Sequence, residues 1–311
     1  MGVKGEGNFE GLKIGRAERW LLEKQLGEGS YGQVWLAHDI STNEKCAVKF
    51  ELAKTPNPIL HLEYMFYKKI GETTKSERIP KILTLCPFTD AEGEEWTCLV
   101  MECIGKSLEQ LSARLKKFSL KTTIQLAIEL LTVIEVVHKS GIIHRDIKPD
   151  NFMFGLKENG REKTLCIIDF GMSKFYIDPD TQKHIAEGPN NMVVGTPRYQ
   201  SANAHKYRVQ CRRDDLESIC YVLIFFARGK LPWQGLDIDS TRRRSRVTAR
   251  MKATTPSSEL CKGLPDDFAE LVRRVKALRF DETPNYHAYR TLMSSCAEKL
   301  SIRLDDVYDW D

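Results

Sequence analysis

Long hydrophobic runs are absent from this sequence. The apolar stretch from Tyr221 to Ala227 is far shorter than the roughly 20 residues that a membrane-spanning helix needs. The polar opening residues also lack the apolar core of a signal peptide. We therefore expect no membrane partner and a cytoplasmic protein, with a nuclear location also open.

Paired cysteine motifs and strong net charge are also lacking. The nine cysteines are an odd number without any Cys-x-x-Cys pair, which argues against a disulfide scaffold and against a zinc site. The formal charge of +4 over 311 residues is too small to imply nucleic-acid binding. The composition does offer 41% hydrophobic residues, enough for one large domain or two packed lobes.

The first third of the chain has the pattern of a small antiparallel sheet. From about residue 20 to residue 101, short runs rich in β-branched and aromatic residues alternate with turn-forming stretches. A helix is predicted to interrupt them from Ile59 to Ile70, where Leu62 and Phe66 share its four-residue spacing and would pack on the sheet. Glu63 would project elsewhere on this helix.

Long helices are predicted after Gly105. The clearest one begins at Ser119, a suitable N-cap, and ends at Gly141, and a second runs from Asp215 to Ala227. No repeat period is present. The chain therefore divides into a sheet-rich part and a helical part joined by a short hinge at residues 102–105. The cleft between them is the expected binding site.

A glycine-rich stretch lies near the start of the predicted sheet. Gly27, Gly29 and Gly32 have the spacing G-x-G-x-x-G, which permits close backbone approach to phosphates. The same spacing opens dinucleotide-binding folds, in which a helix follows the last glycine. Here residues 34–37, Val-Trp-Leu-Ala, continue as a strand, and this context favours a flap over ATP.

A lysine follows Ala47 and Val48 within an apolar strand. An unpaired ammonium at Lys49 would be costly to bury, so we expect an anionic partner. ATP phosphates and Glu63, fourteen positions downstream, would meet that need. The alternative is that Lys49 is a surface lysine and Glu63 a solvated glutamate. Considered one at a time, the two residues favour this alternative.

Two polar motifs give the strongest signal. They are residues 143–151, which read IHRDIKPDN, and residues 167–171, which read IIDFG. Asp146 could orient a substrate hydroxyl and accept its proton, and Lys148 could neutralise a transferring phosphate. Asn151 and Asp169 offer hard oxygen ligands of the kind that suits Mg²⁺.

Together these motifs resemble those of eukaryotic protein kinases, in order and in spacing, across about residues 20–300. The resemblance implies an α+β, bilobal fold with a small β-rich N-lobe at residues 20–104 and a large helical C-lobe at residues 105–311. It implies ATP and Mg²⁺ as cofactors, with Asn151 and Asp169 holding the metal. The residues implied to be catalytic are Asp146, Lys148, Lys49 and Glu63. Those implied to contact ATP are Leu26, Gly27, Glu28, Gly29, Ser30, Gly32, Val34, Ala47, Lys49, Met101, Glu102 and Cys103.

Further stretches resemble the casein kinase 1 family of serine/threonine kinases in particular. They are DIKPDNFMFG at residues 146–155, RRDDLES at 212–218, LPWQG at 231–235 and DVYDW at 306–310. Most kinases carry Ala-Pro-Glu after the activation segment, whereas residues 201–203, Ser-Ala-Asn, are similar to the Ser-Ile-Asn of this family. Pro197 and Gln200 depart from the family's usual alanines, and Cys103 departs from its leucine.

The same resemblance implies protein substrates that are acidic, or already phosphorylated, three residues before the target Ser or Thr. The implied anion site consists of Arg198, Gln234, Gly235 and Arg244, where an arginine replaces the family's lysine and keeps the charge. The alternative is that residues 241–246, Thr-Arg-Arg-Arg-Ser-Arg, form a solvated basic loop, or a nuclear localisation signal. Family members are generally active without activation-segment phosphorylation, so Arg145 would lack a phosphate partner.

Other functions stay open on the sequence alone. Residues 203–205, Asn-Ala-His, also resemble the tau-tubulin kinase branch, and a vaccinia-related kinase-like branch is a further alternative. A pseudokinase scaffold would keep the fold without the chemistry, and a small-molecule phosphotransferase would share several motifs. The segment 195–201 and Asp215 favour a protein substrate. We expect a monomeric catalytic domain.

Overall fold

The computed structural model describes residues 8–29 and 32–311. Ser30, which was predicted to contact ATP, lies outside these described residues. The chain forms two compact units. The first comprises the described residues up to Gly105 together with Phe154–Gly171, and the second comprises Lys106–Met153 and Met172–Asp311. The predicted lobe ranges, 20–104 and 105–311, divide the chain differently and stay predictions.

The first unit contains an antiparallel sheet. The strands of the described chain are β1 (Lys13–Ile14), β2 (Trp20–Gly29), β3 (Gly32–Asp39), β4 (Lys45–Leu52), β5 (Ile82–Thr89), β6 (Glu95–Glu102), β7 (Ile142–Ile143), β8 (Phe152–Phe154), β9 (Leu165–Ile167) and β10 (Lys174–Phe175). Strands β1 to β6 form one six-stranded sheet in the order β1-β2-β3-β4-β6-β5, with every neighbouring pair antiparallel. The predicted sheet in the first third of the chain is therefore confirmed.

Aromatic side chains cover one face of this sheet. The ring of Phe9 lies 4.6 Å from that of Phe50 and 5.2 Å from that of Trp96, measured between centroids, and all three residues are buried. Because successive residues of a strand point to opposite faces, Ala47 and Lys49 of β4 lie on the other face. One face of the sheet therefore packs into a hydrophobic core, and the other face carries Lys49.

Helix α1 (Leu60–Thr74) continues beyond its predicted end at Ile70. Phe66 and Ile70 are buried as predicted, but the prediction that Leu62 packs on the sheet is wrong, since Leu62 is 38% exposed. Glu63, which was predicted to project elsewhere, lies on the buried face instead. The buried residues of this helix are Leu60, Glu63, Phe66, Tyr67 and Ile70. Their spacing of three and four residues defines one helical face, and position 62 falls outside it.

The second unit is mostly helical. Its helices are α2 (Leu108–Leu115), α3 (Leu120–Lys139), α4 (Ala202–His205), α5 (Arg212–Arg228), α6 (Thr241–Thr254), α7 (Ser257–Leu260), α8 (Asp266–Ala277) and α9 (Tyr286–Lys299). The predicted N-cap of α3 is confirmed, because Ser119 Oγ accepts a hydrogen bond from the Thr122 amide at 3.1 Å. Among the helices of residues 8–29 and 32–311, none is long and apolar enough to span a membrane.

Helix α5 begins at Arg212, earlier than the predicted start at Asp215. The carboxylate of Asp214 accepts a hydrogen bond from the Cys211 amide at 2.7 Å and so satisfies a donor at the start of the helix. The helix ends at Arg228 and is capped by Gly229, whose φ of 77° is a left-handed conformation that glycine adopts without strain. The sequence therefore predicted the end of this helix better than its beginning.

The basic run at residues 241–246 is not a loop. These residues form the first turns of α6, and Ser240 Oγ accepts a hydrogen bond from the Arg243 amide at 3.3 Å at the start of that helix. The alternative of a solvated basic loop is therefore wrong as regards local structure.

Candidate active site

Several predicted nucleotide contacts share one face of the sheet. Lys49 lies directly opposite Val34 on strand β3, and Ala47 lies opposite Met101 on β6. Opposed residues of an antiparallel pair point to the same face. These four side chains therefore lie together, on the face that the aromatic core leaves uncovered.

The glycine-rich stretch forms the facing ends of β2 and β3, where Gly27 is paired with Val34 and Gly29 with Gly32. Gly32 has a φ of 141°, and a Cβ there would lie 1.8 Å from the Phe50 carbonyl oxygen, so the chain itself requires glycine at this position. A Cβ at Gly27 would meet nothing within 4 Å. A strand follows Gly32 where a dinucleotide-binding fold would have a helix, so the dinucleotide interpretation is wrong. Leu26 and Glu28 of this hairpin are exposed.

The Lys49 ammonium contacts two carboxylates. Its Nζ lies 2.6 Å from Glu63 Oε2 and 3.0 Å from Asp169 Oδ1. The Glu63 side chain is 1% exposed and that of Lys49 is 15% exposed, so neither is the solvated surface residue of the alternative interpretation. Burial lowers the pKa of Lys49, but the two carboxylates outweigh burial and raise it overall, so the side chain stays charged at neutral pH. The hydroxyl of Tyr67 accepts a hydrogen bond from the Asp169 amide at 3.1 Å, which fixes that backbone.

The predicted hinge segment is held by a neighbouring arginine. The Glu102 carboxylate pairs with Arg161 and accepts a hydrogen bond from the Lys81 amide at 3.1 Å. The Glu102 amide donates to the Lys81 carbonyl at 2.8 Å, so this N–H is not the group through which Glu102 would contact ATP. Cys103 is buried, and burial raises the pKa of its thiol. We infer a poorly nucleophilic thiol at this position.

Three predicted residues meet in the second unit. Asp146 Oδ1 accepts hydrogen bonds from the Thr196 amide at 2.9 Å and from the Thr196 hydroxyl at 2.7 Å. Asp146 Oδ2 lies 2.9 Å from Lys148 Nζ. Asn151 Nδ2 donates to the Asp146 carbonyl oxygen at 2.8 Å. The loop is thereby fixed around one oriented carboxylate, and Thr196 is a member of this group that the sequence did not identify.

Asp215 organises the backbone of the same loop. Its Oδ2 accepts hydrogen bonds from the His144 amide at 2.8 Å and from His138 Nε2 at 2.8 Å, while Oδ1 accepts from the Arg145 amide at 2.9 Å. Burial opposes ionisation of this carboxyl, but these hydrogen bonds lower its pKa overall. Arg145 has a φ of 67°, a conformation costly for a residue with a side chain, and the buried carboxylate stabilises it.

A family model of the protein kinase domain matches residues 20–288. The chain belongs to the protein kinase domain family. Its β-sheet first part and its helical content fit the kinase fold. A protein kinase transfers a phosphoryl group to protein substrates, and members of this family generally use ATP and Mg²⁺.

The predicted metal ligands of this kinase suit Mg²⁺ in their chemistry. Asn151 uses Nδ2 as a donor to the Asp146 backbone, so its amide oxygen is the atom suited to a hard cation. The side chain of Asp169 is 34% exposed and supplies carboxylate oxygen. Within the described ranges, no group of three or more His, Cys, Asp or Glu residues could hold a metal. Each of these two oxygens is of the kind that Mg²⁺ prefers, since Mg²⁺ is usually held by one or two protein oxygens together with water and phosphate.

Aromatic contacts restrict the side chain of Arg198, the first residue of the predicted anion site. The Arg198 guanidinium carbon lies 5.7 Å from the Tyr199 ring centroid and 5.6 Å from that of Phe225. The Arg198 carbonyl accepts a hydrogen bond from Trp233 Nε1 at 2.8 Å. This bond connects Arg198 to the segment that carries Gln234.

The contacts of the remaining members of the predicted anion site give weaker support for a role in anion binding. Gln234 Oε1 accepts a hydrogen bond from the Leu231 amide at 2.7 Å and so stabilises its own turn. Gly235 has a φ of 70°, and a Cβ there would meet nothing within 4 Å. Arg244 is exposed, and its Nη2 donates to the Ile238 carbonyl at 2.6 Å. Its Nε also donates to this carbonyl at 3.2 Å, so the Nη1 side of the guanidinium is the part that would meet an anion.

Proposed function

We propose that this protein kinase is a serine/threonine kinase, similar to the casein kinase 1 family, which transfers the γ-phosphoryl group of ATP to acidic or pre-phosphorylated proteins. The observation that carries this proposal is the Asp146 carboxylate, held by Thr196 on one oxygen and by Lys148 on the other. An aspartate so oriented can accept a proton from a substrate hydroxyl. The adjacent ammonium can offset charge on the transferred group.

The residues of the first unit have the complementary role of binding the nucleotide. Lys49, oriented by Glu63, would pair with nucleotide phosphates, and the open space at Gly27 would admit them close to the backbone. When bound, Mg²⁺ would neutralise charge on the nucleotide phosphates. Asn151 and Asp169 are the residues that would hold it.

The proposed substrate preference rests on charge at the anion site. Arg198 is always protonated, and its two aromatic neighbours restrict its orientation. A planar guanidinium can bind a phosphate or a carboxylate with two parallel hydrogen bonds. A phosphoserine three residues before the target would therefore be a suitable ligand.

The direct test compares wild-type protein with the Asp146→Asn variant, using ATP, Mg²⁺ and partially dephosphorylated casein. We expect phosphoserine or phosphothreonine from the wild type and none from the variant, because the amide cannot accept the proton. Asp180→Asn, at an exposed loop, is the matched control and should stay active. A wild type that binds ATP but phosphorylates no protein would indicate a pseudokinase.

A positional peptide array with and without phosphoserine at the third residue before the target tests the branch. Casein kinase 1-like specificity predicts that the primed or acidic peptides are phosphorylated fastest. A preference for other positions would favour the tau-tubulin kinase-like alternative. Phosphorylation of small alcohols in place of peptides would contradict the proposal.

A further inference from the structure

Helix α6 carries a lysine that the proposed chemistry does not use. Lys252 is 0% exposed, and its Nζ donates to the carbonyl oxygens of Pro197 at 2.8 Å and Gln200 at 2.7 Å. A buried ammonium is costly unless it is hydrogen-bonded. The two carbonyls belong to one short backbone segment, so Lys252 joins α6 to both ends of it.

The rest of the Lys252 environment is aromatic. Its Nζ lies 4.9 Å from the Trp233 ring centroid and 5.2 Å from that of Tyr221, and it is 3.2 Å from His205 Nε2. The negative faces of the rings favour an ammonium at these distances. Glu217 contributes a longer-range attraction to the same charge. Lys252 is thus enclosed by groups that fix its position.

The segment that Lys252 holds carries two groups of the proposed active site. Thr196, adjacent to Pro197, makes both hydrogen bonds to Asp146 Oδ1. Arg198 lies between the two carbonyls that Lys252 binds, and its own carbonyl accepts from Trp233. A shift of residues 197–200 would therefore displace a contact of the catalytic aspartate and a member of the anion site together.

We propose that Lys252 is a positioning residue for protein-substrate use, which fixes segment 196–200 through the carbonyls of Pro197 and Gln200. The inference rests on the proposed function, because that function gives Asp146 and Arg198 their roles. Lys252 acts through backbone atoms and touches no substrate. Its loss should impair use of the protein substrate and leave use of ATP intact.

The test compares Lys252→Met with Lys276→Met. Methionine keeps the unbranched length of lysine but leaves the Pro197 and Gln200 carbonyls without this donor. Lys276 is the matched control, because its Nζ also donates to a backbone carbonyl, that of Lys252, at 2.7 Å and does not contact segment 196–200. For partially dephosphorylated casein, we expect Lys252→Met to lower kcat/KM about tenfold or more, and to change the KM for ATP by less than about twofold. Lys276→Met should change neither value by more than about twofold.

Hydrogen exchange measured by mass spectrometry provides a readout that does not need catalysis. The amides of Thr196, Tyr199 and Gln200 are hydrogen-bonded, the first to Asp146 and the others to the Thr196 carbonyl. In Lys252→Met these amides should exchange faster, while helix α3 exchanges as in the wild type. If Lys252→Met does not fold, Lys252→Gln, which keeps a shorter donor, is examined in the same way and should show an intermediate effect.

Two results would overturn the proposal. One is normal casein kinetics in a folded Lys252 variant, and the other is faster exchange throughout the second unit with no excess at residues 196–200. A wild type that phosphorylates no protein would instead refute the proposed function. The exchange experiment would then still decide whether Lys252 fixes the segment.

Discussion

Thr196 directs two hydrogen-bond donors at a single oxygen of Asp146. The amide donates to Oδ1 at 2.9 Å and the hydroxyl donates at 2.7 Å, across 50 positions of sequence. Lys148 lies 2.9 Å from the other oxygen, Oδ2. The two oxygens thus have different partners, and the carboxylate is restrained against rotation about its Cβ–Cγ bond. This restraint is what a residue needs if it is to accept a proton from one direction.

Replacing the Thr196 hydroxyl should slow the reaction without abolishing it. Thr196→Val keeps the shape and the amide bond but loses the hydroxyl bond, which is worth about 1 kcal/mol, so we expect kcat to fall about fivefold. Thr196→Ser keeps the donor and should retain most activity. Steady-state kinetics with casein, with the KM for ATP as an internal reference, measure the effect. Equal kcat values for the Val and Ser variants would show that the hydroxyl bond does not orient Asp146.

Because Lys49 forms a buried ion pair, single and double substitution should change the free energy of unfolding by different amounts. Lys49→Met leaves Glu63, 1% exposed, without its ammonium, and loss of one partner of a buried pair typically costs about 3–5 kcal/mol. The double variant Lys49→Met/Glu63→Leu removes both charges and should recover a large part of this loss. Urea unfolding followed by circular dichroism measures the free energy of unfolding.

A control for the Lys49 experiment lies on the same strand. Lys45 pairs with Glu158 at 2.8 Å, but the side chains are 47% and 62% exposed, so Lys45→Met should lower the free energy of unfolding far less than Lys49→Met. A double variant no more stable than Lys49→Met would mean that Glu63 does not carry an unpaired charge in the single variant. The ion-pair argument would then fail.

The sequence predicted those parts of the site whose residues lie close together along the chain. Asp146, Lys148 and Asn151 fall within six residues, and the turn that joins them is a local structure. The contact between Lys49 and Glu63 was expected because a lysine in an apolar strand needs an anion. Thr196 was missed, since its partnership with Asp146 depends on how the chain folds back between them.

Burial on α1 shows a different limit of sequence reasoning. Leu62 was placed on the packed face and Glu63 elsewhere on the helix because apolarity was used as the guide to burial, although Glu63 was also named as a partner of Lys49. The structure reverses both, since Glu63 is buried by its ion pair with Lys49 while Leu62 falls off the buried face. Lys252 is a second case, a lysine inside the protein on a helix of exposed arginines. A charged residue with a distant partner cannot be recognised as buried from its neighbours in sequence.

Stability should depend on pH through Lys252. Burial lowers the pKa of this side chain from its ordinary value of 10.5 to about 7. Between these values the unfolded chain binds one more proton than the folded chain, so the free energy of unfolding should rise with pH. Below about pH 7 both states are protonated and the slope from this residue vanishes.

Comparison with Lys252→Met isolates this effect from all other titrating groups. The difference in unfolding free energy, wild type minus variant, should grow between about pH 7 and about pH 9 and stay constant below about pH 7. Urea unfolding at several pH values provides the measurement. Parallel curves for the two proteins would mean that the pKa of Lys252 is not depressed in the fold.

Arg198 and Arg244 should contribute unequally to the preference for primed peptides. The Arg198 guanidinium is restricted by two rings, whereas the Arg244 side chain is exposed to solvent and its Nε and Nη2 already donate to the Ile238 carbonyl. A charge-assisted hydrogen bond is worth about 1.5–3 kcal/mol. We therefore expect Arg198→Ala to reduce the primed-over-unprimed ratio of kcat/KM about tenfold or more, and Arg244→Ala to reduce it less. An equal loss in both variants, or a larger one in Arg244→Ala, would contradict this order.

Activity should not require phosphorylation of the segment after Asp169. The Arg145 guanidinium, which pairs with a phosphorylated residue in phospho-activated kinases, is half-buried here and donates through Nε to the Met172 carbonyl at 2.6 Å and through Nη2 to the Ser173 carbonyl at 3.3 Å. Two of its N–H groups thus have backbone partners, and neither of these bonds needs a phosphate. Protein freed of phosphate by a phosphatase, verified by mass spectrometry, should phosphorylate casein within about twofold of the untreated rate. Arg145→Lys, whose single ammonium reproduces the planar fork poorly, should be slower in both preparations. Loss of activity after dephosphorylation and its return with an added upstream kinase would mean that the Met172 and Ser173 contacts do not substitute for a phosphate.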